Sequence, residues 1–120
     1  MSTAHSHPFR DLVTVTATGQ NAWQAHIDPL WTIGPKVHGG CMLAVCAAAA
    51  RREILAAGAD AAVQPLAVSA SFVSAPDPGE VDLTTTLRKN GRQVGVVDVE
   101  LAQGGRVAVR ASVTLGVPDG

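Results

Sequence analysis

The sequence predicts an α+β domain in which a curved antiparallel sheet of five or six strands wraps around one long buried helix. Three observations predict it. Val81, Leu83, Thr85 and Leu87 alternate with Asp82, Thr84, Thr86 and Arg88, and two later runs alternate in the same way. Period-two alternation puts one set of side chains on each face of a sheet. From Cys41 to Ala50 the chain carries no charge and is rich in alanine, the strongest helix former. With no face marked by charge, that segment reads as a helix buried all round. Finally, Asn90-Gly91 and Gly104-Gly105 separate the alternating runs and read as hairpin turns. One helix cannot cover both faces of such long strands. A sheet curved around it, apolar inside and polar outside, satisfies both patterns.

Taken in order, Leu12 to Thr18 alternates valine with threonine and reads as a strand, followed by a turn at Gly19-Gln20-Asn21. Ala22 to Ile27 is the returning strand, with Trp23 on one face, and Asp28-Pro29 ends it. Trp31 to His38 is a loop bent at Gly34-Pro35, and the helix runs from Gly39 to about Leu55. Arg51 and Arg52 give it a cationic end, and Gly58 a stop. Ala56 to Ala62 is a loop or frayed helix end. Leu66 to Val73 is a strand with Val68, Ala70 and Phe72 on one face, closed by the turn cluster Pro76-Asp77-Pro78-Gly79. In the last two strands Val97, Val99 and Leu101, then Val107, Val109, Ala111, Val113 and Leu115, face the helix.

Composition narrows the function classes. A chain of 120 residues, 47% apolar and 16% charged, has the size and balance of one globular domain. A net charge of −1 without a basic run gives nucleic-acid binding no support. The helix is shorter than the roughly 20 apolar residues a bilayer requires, so no membrane partner is expected. Cys41 and Cys46, five apart on one helix, fit neither a disulfide framework nor a zinc pair, and indicate reduced thiols in the cytoplasm. Met1 to Arg10 lacks the apolar core of a signal peptide. The expected organisation is a flexible tail at 1–10 and one domain at 11–118. His5 and His7 on that tail are at most a weak metal ligand, and neither a metal site nor a cofactor is expected.

The chemistry-bearing stretch is His38-Gly39-Gly40 at the helix start. Two glycines allow another backbone or a ligand to approach closely. First-turn amides and the positive end of the helix dipole favour an anion or a developing oxyanion. The plainer reading is a tight helix entry with a structural histidine. Cys41 has two readings as well: a packing thiol, or a nucleophile beside His38 with its pKa lowered by the dipole.

These residues resemble the hotdog-fold acyl-CoA thioesterase superfamily. His38-Gly39-Gly40 opening the helix is similar to the HGG of phenylacetate-type single-domain thioesterases. Phe72 with Pro76-Asp77-Pro78-Gly79, then Leu87 to Arg92, then Leu101 to Ala108, resemble the strand–turn rhythm of the N-terminal half of thioesterase II double hotdogs. The resemblance runs from about Leu12 to Val117. It implies hydrolysis of an acyl-CoA or acyl-carrier-protein thioester at a dimer interface, with a homodimer or a dimer of dimers as the assembly. It implies Gly40, with Gly39 or Cys41, as oxyanion donor, and His38 as the group that orients the carbonyl or a water. Trp31 reads either as a core anchor beside the helix or as a wall of the acyl channel, and Arg88, Lys89 and Arg92, with Asn90, either as a solvated turn or as substrate contacts that meet CoA phosphates. The pattern departs from the family in the loop, where an asparagine often precedes HGG and this chain has Trp31, Thr32 and Ile33, and again in the helix. Single-domain relatives carry an Asp or Glu about two turns into the helix, whereas Val45 to Ala49 holds none, and the first helix carboxylate is Glu53. Thioesterase II enzymes draw an Asp, a Thr and a Gln from their C-terminal half. That departure keeps a second function open: a non-catalytic acyl-thioester-binding hotdog, or the partner subunit of a heteromeric enzyme.

Overall fold

The computed structural model describes residues 15–27, 32–33, 36–37, 39–91 and 93–118. The expected tail at 1–10, the beginning of the first expected strand, and the candidate residues Trp31, His38 and Arg92 lie outside the described residues. Among the described residues eight strands and one long helix follow in the order β1 (Thr16–Gly19), β2 (Ala22–Ile27), β3 (Thr32–Ile33), β4 (Lys36–Val37), α1 (Gly39–Ala56), β5 (Gln64–Phe72), β6 (Gly79–Asn90), β7 (Val94–Gln103) and β8 (Arg106–Gly116). Six of the strands form one antiparallel sheet in the order β1-β2-β6-β7-β8-β5. The strand after the helix thus crosses to the far edge, and β6, β7 and β8 fill the centre as consecutive hairpins. Where a plain loop was expected before the helix, Thr32 pairs with Val37 and Ile33 with Lys36 in a small separate ladder.

The alternation read from sequence is the alternation observed. Val81, Leu83 and Thr85 on β6, Val97, Val99 and Leu101 on β7, and Val109, Ala111, Val113 and Leu115 on β8 are buried against α1. Val107 departs from the expected face. A register shift between Leu101 and Ala102 buries Ala108 beside Val109 and leaves Val107 half-buried. Gly104 and Gly105 both have positive φ, 58° and 80°, as a two-residue hairpin turn requires.

The helix corrects one expectation. It is buried on one face: Cys41, Met42, Val45, Cys46, Ala49, Ala50 and Ile54. Leu43, Ala44, Ala47 and Ala48 are half-buried. One sheet can enclose only the stripe that faces it, so the absence of charge did not mean burial all round. The expected stop is present. Gly58, with φ of 97°, donates to Leu55 O at 3.0 Å and Ala59 to Ile54 O at 3.1 Å, a Schellman ending that satisfies the last carbonyls. No helix among the described residues is long and apolar enough to cross a membrane.

The other difference lies in β5. The sequence places Val68, Ala70 and Phe72 on one face, and their partners Val113, Ala111 and Val109 confirm it as the helix-facing side. Yet β5 is an edge strand, and Leu66, Val68, Phe72 and the adjoining Val73 remain exposed. Alternation reports which face a residue takes. It does not report whether the strand is central or at an edge.

Candidate functional site at the helix start

Glycine sets the geometry where α1 begins. Gly39 and Gly40 are its first residues, the first turn contains no acidic side chain, and Gly40 is exposed. Gly39 faces the aromatic ring of Phe72, since a Cβ at Gly39 would lie 3.6 Å from Phe72 Cε1 and 3.7 Å from Cζ. The helix start therefore sits at the β5 edge of the sheet, open on the side where Phe72 is 52% exposed. A first turn with no acidic residue suits an anion beside it, because the positive end of the helix dipole lies there.

Cys41 is in the same turn but is buried, and burial pushes its thiol up to about 11. Desolvation favours the neutral thiol, which supports the packing reading over the nucleophile. Cys46, deeper on the same face, is pushed up to about 12 by the same cause. Both are buried and free of disulfides.

The hairpin candidates occupy the other end of the domain. Asn90 pairs with Gly95, and a Cβ on Gly95 would overlap Cδ1 of Ile54, which lies in the closing turns of α1. The length of α1, about 27 Å for 18 residues, separates this hairpin from Gly39 and Gly40 within one chain. Arg88 is also engaged. Its Nε donates to Asp98 Oδ2 at 2.6 Å on the outer face of the sheet. On the same face Arg110 Nε donates to Glu100 Oε2 at 3.2 Å. A shallow cavity of about 430 Å³ lies between these pairs, lined by Thr84, Thr86, Ser69, Ser71 and Ser112. It is across the sheet from the helix, and its carboxylates are already paired, so it is no extension of the helix-start site. Gln103 ends β7, where its Oε1 accepts from Asp77 N at 2.9 Å and its Nε2 donates to Asp77 O at 2.8 Å, clipping the loop before β6.

Sequence reasoning missed a polar cluster around the helix carboxylate. Thr85 Oγ1 donates to Glu53 Oε1 at 2.6 Å and accepts from Trp23 Nε1 at 2.9 Å, and Asn21 Nδ2 donates to Glu53 Oε2 at 3.2 Å. Thr85 is only 2% exposed, so these bonds satisfy a hydroxyl that water cannot reach. Arg52 lies 5.3 Å over the Trp23 ring and donates to Val15 O at 2.7 Å. The available signal was Thr85 itself, a polar residue in an apolar alternation series. Glu53 is thus committed to the sheet, a helix length away from Gly40.

Residues 27–116 match the family model for the acyl-CoA thioesterase N-terminal domain. The chain belongs to that family. Its fold is that of the hotdog thioesterases. A candidate thioesterase II of Thermobifida fusca superposes with a TM-score of 0.80 at 25% identity, over 93% of this chain and 40% of that one. A candidate thioesterase of Ralstonia eutropha related to phenylacetic acid degradation gives 0.76 at 22% identity, over 87% and 83%. A hypothetical thioesterase of Streptococcus pneumoniae, solved with coenzyme A, gives 0.74 at 18% identity, over 88% and 84%. In sequence the chain is 58% identical over 97 residues to uncharacterised proteins of Mycobacterium tuberculosis and Mycobacterium bovis, covering 81% of this chain and 33% of each of them. The chain therefore spans about a third of the length of these curated relatives.

Proposed function

We propose that this hotdog domain binds an acyl thioester, of CoA or of a carrier protein, with its carbonyl at the start of α1, and hydrolyses it. The match of residues 27–116 to the acyl-CoA thioesterase N-terminal domain carries this reading. The helix start supplies its physical basis. Water attacks the carbonyl carbon and gives its proton to a base. The carbonyl electrons move to oxygen, where the helix dipole and the first-turn amide of Gly40 oppose the new charge. Collapse then expels the thiolate, which takes up a proton, leaving a carboxylic acid and a free thiol. Donors aimed at charge that exists only in the transition state lower the barrier more than they tighten substrate binding. No carboxylate lies on α1 between Cys41 and Arg52, and Glu53 is tied to Thr85 and Asn21. The base is therefore His38, or a residue contributed across an interface. The assembly that brings one in is a homodimer, or a dimer of dimers, formed along β5, whose edge carries exposed Leu66, Val68, Phe72 and Val73. Such a pairing also brings a partner's hairpin, with Arg88, Asn90 and Arg92, toward the bound thioester. The cytoplasm is the compartment consistent with two reduced thiols.

A second reading shares the pocket but not the chemistry. The absent helix carboxylate favours a domain that binds the thioester and completes a site with a partner subunit. Release of free thiol from a panel of acyl-CoAs separates the two. The enzyme reading predicts turnover by the wild type and a loss of about 10²-fold or more in His38→Ala. Binding of acyl-CoA without turnover establishes the second reading. An active wild type unchanged by His38→Ala removes the histidine as base.

A further inference from the structure

We infer that Phe72 is the specificity-determining wall of this site, meeting the acyl group at the carbons next to the thioester. The inference rests on the thioester reading given above and deepens it. Four observations support it. Phe72 pairs with Val109, which is fully buried, so its ring takes the helix-facing side of β5. Among the described residues, leaving aside the chain neighbours and the helix backbone, its ring atoms are the ones within 4 Å of a Cβ position at Gly39. It therefore stands directly against the helix start. It is nevertheless 52% exposed, because β5 is the sheet's edge and nothing described continues past it. Trp23, the other described aromatic residue, is 6% exposed and hydrogen-bonded to Thr85, so Phe72 is the aromatic surface that a ligand can reach.

Position and shape give the specificity. A carbonyl held at the first turn of α1 has its α and β carbons within reach of that ring. The flat ring offers contact to an unbranched methylene chain. The same bulk excludes a branch at the α carbon, since the glycine backbone behind it cannot retreat without moving α1. Val68 and Ala70 lie on the same face of β5 and continue the apolar surface away from the helix start. The three residues span about 13 Å at ~3.3 Å per residue, a track for an extended chain. Filling or emptying one methylene of such a contact changes kcat/KM by about 10- to 200-fold.

The test compares wild type, Phe72→Ala and Phe72→Leu on octanoyl-CoA, isobutyryl-CoA and acetyl-CoA. It measures turnover, binding by calorimetry, and assembly by sedimentation. We expect Phe72→Ala to lower kcat/KM for octanoyl-CoA about tenfold and to leave or raise that for isobutyryl-CoA, with assembly unchanged and Phe72→Leu intermediate. If the wild type binds without turnover, the same ratio is read from dissociation constants. Equal losses on all three substrates, or losses that track dissociation of the assembly, overturn the inference and leave the thioester reading intact. A wild type that neither binds nor hydrolyses any of the three overturns both.

Discussion

The two ends of α1 are built on opposite principles. At its C-terminal end Arg51, Arg52 and Glu53 are all hydrogen-bonded to other parts of the chain. Arg51 Nε donates to Val63 O at 2.8 Å and its Nη2 to Ala61 O at 2.9 Å, holding down the loop that follows. Arg52 bonds Val15 and covers Trp23, Glu53 joins Thr85 and Asn21, and Gly58 closes the helix. The N-terminal end has two glycines, no acidic side chain in its first turn, and a half-exposed phenyl ring. The tied end fixes the helix on the sheet; in the proposed function the open end takes the ligand, so stability and chemistry sit a helix length apart.

The largest expected effect on stability is at the tied end. Glu53→Ala removes the acceptor of the Asn21 amide and leaves the buried Thr85 hydroxyl only the long bond to Asn21 O at 3.4 Å in which to donate, and removing a bond to a charged group costs about 1.5–3 kcal/mol. Chemical denaturation should show that loss, and an unchanged midpoint would break the comparison. Gly95→Ala comes next. Its Cβ overlaps Ile54, whose terminal methyl must turn away, and such overpacking costs about 1–3 kcal/mol. Arg52→Ala removes one hydrogen bond and one cation–π contact and should cost about 1 kcal/mol by the same measurement.

The smallest effect is confined to alkaline pH. In the folded chain burial raises the Cys41 thiol to about 11 and the Cys46 thiol to about 12, while the unfolded chain ionises near 9.0. The unfolded state thus releases protons first. The stability due to the neutral buried thiols is complete below pH 9 and is lost as pH rises toward 11–12. Replacing both cysteines with alanine should flatten the alkaline part of a melting-temperature profile. A profile equally steep without them would assign the slope to other groups.

The fold was legible because its signals are periodic. Val97, Val99 and Leu101 against Asp98 and Glu100 can satisfy only a sheet buried on one side. Gly104-Gly105 has one conformational use in a hairpin, and Gly58 one use after a helix. What the sequence withheld is set by tertiary placement. Period does not separate an edge strand from a central one, and in Gln64–Phe72 the one mark of an edge is Pro65, which has no N–H to give to a second neighbour. Glu53 reads as a solvated helix residue until Thr85 and Asn21, 32 residues away on either side, are brought to it. Of the candidate site, Gly39 and Gly40 were visible as glycines opening an apolar helix. Phe72, 33 positions later, could join them only through the crossing of the chain to the far edge (72 − 39 = 33).

The central claim is that chemistry resides at the open end of α1 and stability at the tied end. The most direct test measures thioester turnover and thermal melting together in Gly40→Val and Thr85→Val. Valine is no worse than glycine for helix stability, and Gly40 is exposed, so Gly40→Val should melt with the wild type. By blocking close approach it should lose about 10²-fold or more in kcat/KM, the scale of an oxyanion donor. Thr85→Val should do the reverse, melting lower and keeping its kcat/KM. Full turnover in Gly40→Val, or loss of turnover in Thr85→Val while it remains folded, would contradict the account.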